Sequence, residues 1–408
     1  MSTDSSLQAG TACADISPPA YTAMTGMGTN RPRPRGVHDR LRAKAMVLKS
    51  GDQKVALVTA DINYIAIEHV DEVRRLVAKY TDVPPANVRV TSSHSHSSPG
   101  YFALHAGDQP AGWWGGITDE ETDHAAAACR LIAGAVYEAN LKLQDAEIGF
   151  GEGRCRHNII RWHRTADGKM MYTPHHRDEL EPNLPPLDDI FIMHVRHRGS
   201  AQPLATYYTN HAHAICVCLQ SDLISADYPG FVAEVVESKL GGLCMFAPGA
   251  IGDQHPRDFD RGYDAARQMG YQIADEVLAA VAQMRYSSDV QIRTVRSPAV
   301  LPNADAKGTA LRTRTELSAL AINGVAFSFW PGEPFGMIST ALQRESPFNR
   351  TVLVANTDDF KYYFALEKEY GKYQWERTGA GPTIYPVAAG DQLYARALAD
   401  LKSLKSQP

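Results

Sequence analysis

The sequence predicts an α/β fold, a single domain whose mixed, largely parallel sheet is flanked by helices and carries its functional site at the carboxyl ends of the strands. Three observations lead there. Near-continuous apolar runs, such as Val55-Ala-Leu-Val-Thr-Ala60 and Leu243-Cys-Met-Phe-Ala247, are what strands covered on both faces require. Residues 67–79 and 119–140 instead place apolar side chains every three to four positions, the period of a helix lying on a sheet. Strand, helix and strand in that order favour parallel pairing, and open α/β sheets bind ligands in the loops beyond the strand ends.

A chain of 408 residues, 44% hydrophobic and 21% charged, has the balance of a globular protein with a large core, not of a disordered or fibrous one. Its net charge of -5 and pI near 6.3 give no basic excess. The run from Arg31 to Arg35 is interleaved with prolines and has no aromatic platform beside it, so nucleic acid is not an expected partner. No apolar run reaches membrane-spanning length, and Met1-Ser-Thr-Asp-Ser-Ser6 lacks the charged-then-apolar pattern of a secretory leader. We therefore expect a cytoplasmic protein without stable membrane association, acting on a small molecule. Six scattered cysteines fit reduced thiols. Cys216 and Cys218 lie close to His213 as soft donors, but small buried strand residues are the expected reading.

Residues 10–30 are rich in Gly, Pro and Thr and end in Met24-Thr-Gly-Met-Gly28, a turn or a point of close backbone approach. Strands are expected at 43–49 and 55–61, the second ending on Asp61. After the helix over 67–79, the strand Val88-Arg-Val-Thr91 empties into Ser93-His-Ser-His-Ser-Ser-Pro-Gly100. The polar stretch 151–186, rich in His and Pro, is expected to form loops and short hairpins over the site. Strands at 188–195 and 204–210 follow, the second delivering His211 and His213. Asp227-Tyr-Pro-Gly230 introduces a helix to 239, and the strand at 243–247 opens into the small-residue loop Pro248-Gly-Ala-Ile-Gly-Asp-Gln-His255. A helix over 263–284 comes next. The last third holds a strand pair turning at Asn323-Gly324, then Pro331-Gly-Glu-Pro334 and a helix. A strand at 351–356 leads to an aromatic segment with Phe360, Tyr362, Tyr363, Tyr370, Tyr373 and Trp375. No repeat or linker divides the chain, and a small C-terminal subregion over 290–408 fits within the same unit.

The pair His94 and His96 carries the strongest chemical signal. In an extended segment residues two apart share a face, so both imidazoles point into one pocket as a candidate metal half-site. A second such pair, His211 and His213, stands at another expected strand end.

Ala14-Asp-Ile16, Met24-Thr-Gly-Met-Gly28, Gly36-Val-His-Asp-Arg-Leu-Arg-Ala-Lys-Ala45, the 93–100 loop, His213, Ile224-Ser-Ala-Asp-Tyr-Pro-Gly230, Gly252-Asp253, Pro331-Gly-Glu333 and residues 356–376 form an ordered set. In order and spacing it resembles the neutral/alkaline non-lysosomal ceramidase family, in a short, bacterial-type form. The resemblance implies a zinc site made of His94, His213, Glu333 and Tyr363, with Tyr362 as the alternative because two extra residues fall at Asp358-Asp359. Two imidazoles, a carboxylate and a phenolate suit that ion. It also implies hydrogen bonds from His96 and Arg161 to substrate and oxyanion, and places Gly26 near the substrate head. The chain departs from the family pattern at His255, which stands where the family has its nucleophilic serine, and at Trp375, which replaces a tyrosine of the substrate pocket. For the family's long insertion before Pro-Gly-Glu and its C-terminal immunoglobulin-like domain we expect no counterpart.

Without the serine, the expected chemistry is hydrolysis by metal-activated water. Zinc lowers the pKa of bound water to roughly 7 and polarises a carbonyl beside it. His96 and Arg161 assist the oxyanion, and His255 protonates the leaving group. Asp227 and Asp253 are candidate acceptors that orient metal-bound histidines. The expected function is thus a zinc-dependent hydrolase cleaving an amide, ester or lactone bond of a small soluble substrate, the amide resting on the resemblance alone. Two readings stand beside it: a catalytically silent metal or small-molecule binding protein, and a two-metal phosphoesterase bridged by Asp61, His96 or Asp227.

Overall fold

Alternate residues of the buried strands enter different apolar clusters, and this alternation builds four layers. The computed structural model describes residues 6–19, 22–26, 33–101, 119–164, 170–172, 185–304, 310–368, 385 and 388–407. The larger sheet contains β1 Gln8–Asp15, β2 Arg42–Ser50, β3 Gln53–Ala60, β4 Val88–Ser92, β5 Gln144–Arg154, β6 Asp189–His197, β7 Pro203–Asn210, β8 Leu243–Pro248 and the short β9 Tyr286–Ser287. Their order is β8-β7-β6-β5-β1-β2-β3-β4, with β9 on β5. A second sheet runs β10 Ile292–Ala304, β11 Ala310–Ile322, β12 Val325–Phe329 and β13 Arg350–Val354, each beside the next.

In β3, Ala56, Val58 and Ala60 pack against helices α1 Ile67–Tyr80 and α2 Asp119–Leu141, while Val55 and Leu57 point to the second sheet. Ile190, Ile192 and Tyr208 are covered on the same outer side by α3 Tyr228–Leu240 and α4 Tyr263–Ala282. Between the sheets, Met46, Leu48, Phe191 and Met193 meet Leu320, Phe327 and Val352. Each such fully buried side chain contributes about 1.5–3 kcal/mol. The outer face of the second sheet is closed by α5 Gly336–Glu345 and α6 Ala388–Ser406. The helix α1 shows how sequence sets the layers: Ile67, Val70, Val73 and Val77 are buried at helical spacing. Its first N–H is capped from far along the chain, by Asp359 Oδ1 at 3.2 Å.

The larger sheet is mixed, but it corrects the expectation of a largely parallel one. Among the described residues β3 pairs parallel with β4 and β7 with β8, and its other pairings are antiparallel. Parallel neighbours need a crossover, which α1 and α3 supply; β2 and β3, or β6 and β7, are joined by tight turns that force antiparallel pairing. The second sheet adds one parallel pair, β12 with β13. The site loops grow from the carboxyl ends of these parallel strands, β4, β7, β8, β12 and β13, as open sheets favour.

Candidate metal centre

Beyond β4 the backbone turns sharply. His94 has φ of +62°, a left-handed conformation that a non-glycine residue holds only under constraint. Its N–H donates to Ile62 O at 3.0 Å, and its Nδ1 lies 2.9 Å from Asn63 O. A carbonyl can only accept, so Nδ1 carries the ring proton and Nε2 the lone pair. His213, three residues beyond β7, is held alike, with Nδ1 at 2.9 Å from Gln254 O. Both Nε2 atoms face the buried Glu333 carboxylate, at 2.7 Å from His213 and 3.4 Å from His94. Lone pairs on nitrogen facing lone pairs on oxygen require a proton or a cation between them. Burial depresses the His94 imidazole to about 4 although Glu333 lies beside it, leaving the neutral ring that metals take as ligand. Burial alone would raise the Glu333 carboxyl; the imidazoles of His94 and His213, with Arg161 further off, hold it below the usual range instead. The donor set fits a divalent ion.

His96 joins this group through a turn, where the spacing of the pair predicts an extended segment. The loop is turned rather than extended, and its N–H donates to Ala214 O at 3.1 Å. Strand alternation is therefore not what brings His94 and His96 together. Their ring centroids are 4.9 Å apart, and one ring nitrogen from each of His94, His96 and His213 lies within 4.8 Å of the other two. Gly26, at φ +110°, lies against the His96 ring: a Cβ there would stand 2.4 Å from Nδ1.

Glu333 and Tyr363 face each other across a two-residue parallel bridge. The Glu333 N–H donates to Tyr362 O at 2.7 Å. The Tyr363 ring lies 5.0 Å from the Arg161 guanidinium, whereas the Tyr362 ring packs on Phe360 at 4.9 Å. Phe360 in turn stacks on Tyr64 at 4.4 Å and stands 5.8 Å from His94. Nothing in the sequence marks Tyr64 for the site, and Phe360 is expected there only as aromatic packing.

Arg161 and His255 meet because residues 158–160 pair antiparallel with 254–256. Arg161 Nη1 donates to His255 Nε2 at 2.9 Å, and the His255 ring stacks on Phe259 and stands edge-on to His213 at 5.0 Å. The aspartates expected to orient histidines do other work. Asp227 accepts from the N–H groups of Tyr228, Val217 and Cys216 and caps α3, and Asp253 accepts from Gly336 N and Gln254 Nε2. Asp61 accepts from Arg42 N at 2.9 Å. The groups that orient the His94 and His213 imidazoles are the carbonyls of Asn63 and Gln254. Cys216 is packed in the apolar cluster under α3 and α4, its thiol pushed well up by burial, and Cys218 lies beside Phe259, in a turn rather than a strand. Trp375 lies outside the described residues.

The layered architecture is that of known ceramidase structures. Neutral ceramidase from Pseudomonas aeruginosa superposes with a TM-score of 0.78 over 98% of this chain and 75% of that one, at 16% identity. A ceramidase complexed with C2 gives 0.78 over 99% and 77%, at 17% identity. Likeness at such identity speaks for the fold. Residues 7–286 match the family Neutral/alkaline non-lysosomal ceramidase, N-terminal, and the chain belongs to that family. Among its relatives, the neutral ceramidase of Mycobacterium tuberculosis is 25% identical over 298 residues, 65% of this chain and 44% of the relative. That of Pseudomonas aeruginosa is 24% identical over 267 residues, 62% of this chain and 38% of the relative. The chain thus spans less than half the length of the curated relatives it matches.

Proposed function

We propose that the chain is a zinc-dependent hydrolase that cleaves an amide bond with water, holding the ion through His94, His213, Glu333 and Tyr363. The observation that carries this is the convergence of two carbonyl-oriented imidazoles on one buried carboxylate. When bound, the ion supplies Lewis acidity, making hydroxide available near neutral pH and polarising a carbonyl. The chain's own residues supply the remainder. Asn63 O and Gln254 O keep the ligand tautomers fixed. His96, seated against Gly26, offers an N–H to the developing oxyanion, and the buried Arg161 guanidinium offers a second donor, strengthened by the low dielectric around it. His255 accepts at Nε2 from Arg161, so its own proton stands at Nδ1, where it donates a hydrogen bond to the leaving nitrogen; the proton that nitrogen gains is the one the attacking water gives up.

The names of the relatives direct the substrate class to N-acyl amides, with short-chain ceramides the first to try and soluble amides, esters and lactones on the same panel. Elemental analysis of the protein and of His213→Ala, beside turnover on that panel, tests the proposal. About one zinc per chain, lost together with hydrolysis in the variant, is expected; a metal-free and inactive protein would overturn it.

A further inference from the structure

Asp253 is 1% exposed, and its Oδ1 accepts two hydrogen bonds, from Gly336 N at 2.8 Å and from Gln254 Nε2 at 3.0 Å. These partners belong to the two halves of the candidate centre. Gly336 opens α5 three residues after Glu333. Gln254 is the residue whose carbonyl receives His213 Nδ1–H, and its Oε1 accepts from Leu187 N at 3.1 Å, so the amide is pinned at both ends. The backbone carbonyl of Asp253 also accepts from Arg161 N at 3.0 Å. The two loops are pressed together beside it: Gly252 N donates to Pro334 O at 3.0 Å, and a Cβ at Gly252 would stand 2.4 Å from Glu333 O. A carboxylate buried this deeply is costly unless its hydrogen bonds are needed where it sits.

We infer that Asp253 is a positioning residue: by tying the start of α5 to Gln254 it fixes the distance between Glu333 and His213, and with it the affinity of the centre for its ion. This rests on the metal-centre reading above. Capping of α5 alone would stabilise the helix without reaching His213; the link through Gln254 is what makes Asp253 act on both ligands.

The test is zinc affinity of the full, metal-stripped chain by chelator competition, together with the imidazole ¹⁵N–¹H signal of His213 Nδ1 in the metal-free protein. Asp253→Ala should weaken zinc binding roughly 10- to 100-fold, the scale of lost outer-sphere support, and speed exchange of that imidazole proton. Asp253→Asn keeps an oxygen able to accept both bonds and should stay near wild type in both readouts. Should the alanine variant not fold, Asp253→Ser, too short to bridge, takes its place. Unchanged affinity and exchange in the alanine or serine variant, with only a lowered Tm, would overturn the inference and leave a helix cap. Equal losses in Asn and Ala would overturn it too, since charge and not hydrogen bonding would then be responsible. A wild type that binds no zinc would sink the metal reading, and the imidazole signal alone would then decide whether Asp253 positions His213.

Discussion

Arg161 and His255 share a hydrogen bond of 2.9 Å in which the guanidinium can only donate and the imidazole nitrogen can only accept. The bond settles which ring atom of His255 bears the proton, and it holds the guanidinium beside the Tyr363 ring. Arg161→Gln should therefore do two things. It should cost on the order of 10²–10³ in kcat, as removal of an oxyanion donor does. It should also shift the His255 Nε2 signal in ¹⁵N spectra away from a pure acceptor. A variant with full turnover and an unchanged spectrum would remove both residues from the chemistry.

The two tyrosines of the aromatic segment make opposite use of their rings, one toward Arg161 and one toward Phe360. We expect Tyr363→Phe to reduce bound zinc and turnover, and Tyr362→Phe to leave the zinc content as it was. Metal analysis of the two variants side by side decides between them, and the reverse outcome would transfer the ligand to Tyr362.

Gly26→Ala should inactivate through His96. A methyl group at φ +110° is strained in itself, and its Cβ would fall 2.4 Å from His96 Nδ1, so the ring must move. The strain costs about 1–3 kcal/mol. A thermal melt lowered by no more than that, with turnover nearly lost, is the expected pair of results; full activity would show that His96 tolerates displacement.

Away from the centre, Asp189 lies 3.3 Å from His211 Nε2 and is hydrogen-bonded to Arg350 Nη2. His211 Nδ1 accepts from Ala250 N at 3.0 Å, so its Nε2 carries the proton toward Asp189. Burial works against the Asp189 carboxylate, but His211 and Arg350 hold it well below the usual carboxylate range. A carboxyl depressed in the folded state contributes stability that is present above its ordinary value of 3.8 and lost as pH falls below it. Denaturant unfolding across acid pH should show stability falling more steeply in wild type than in Asp189→Asn, by up to one proton. Parallel curves below about pH 4 would refute it.

The legible parts of the fold were those whose burial is written in side chains. The strand β3 and the helix α1 carry valine and leucine at the spacing their layers need, and their bounds follow from the sequence closely. The strands β1 and β5 lie in the middle of the larger sheet and were not anticipated. Gln-Ala-Gly-Thr-Ala-Cys-Ala-Asp and Gln-Asp-Ala-Glu-Ile-Gly-Phe-Gly-Glu-Gly-Arg hold too few large apolar residues to announce a strand, and their place comes from the neighbours that pair with them. Of the long hairpin of β10 and β11 only the end of β11, where it turns at Asn323-Gly324, is expected from the sequence, and the helix α6 is not.

In the site the same division holds. The pair His94 and His96 is legible from its residue types and spacing, whereas His213, Glu333 and Tyr363 join His94 as a set only through the resemblance to the family. Asn63 and Gln254 are legible in neither way, because their part is played by backbone carbonyls that every residue type possesses. Asp253 is expected to accept from a histidine, but among the described residues its side chain bonds Gly336 and Gln254. A carboxylate's residue type reveals that it will be satisfied, not by whom.

His94 and His213 hang from the larger sheet, while Glu333 and Tyr363 hang from the second. An ion held by all four, as proposed, would be a rivet between the two halves of the sandwich, present only while they are docked. By mass action such a ligand adds about 2.7 kcal/mol to the docked state when its free concentration is a hundred times Kd. Zinc availability would then govern not only whether this chain turns over but how long the two sheets stay together.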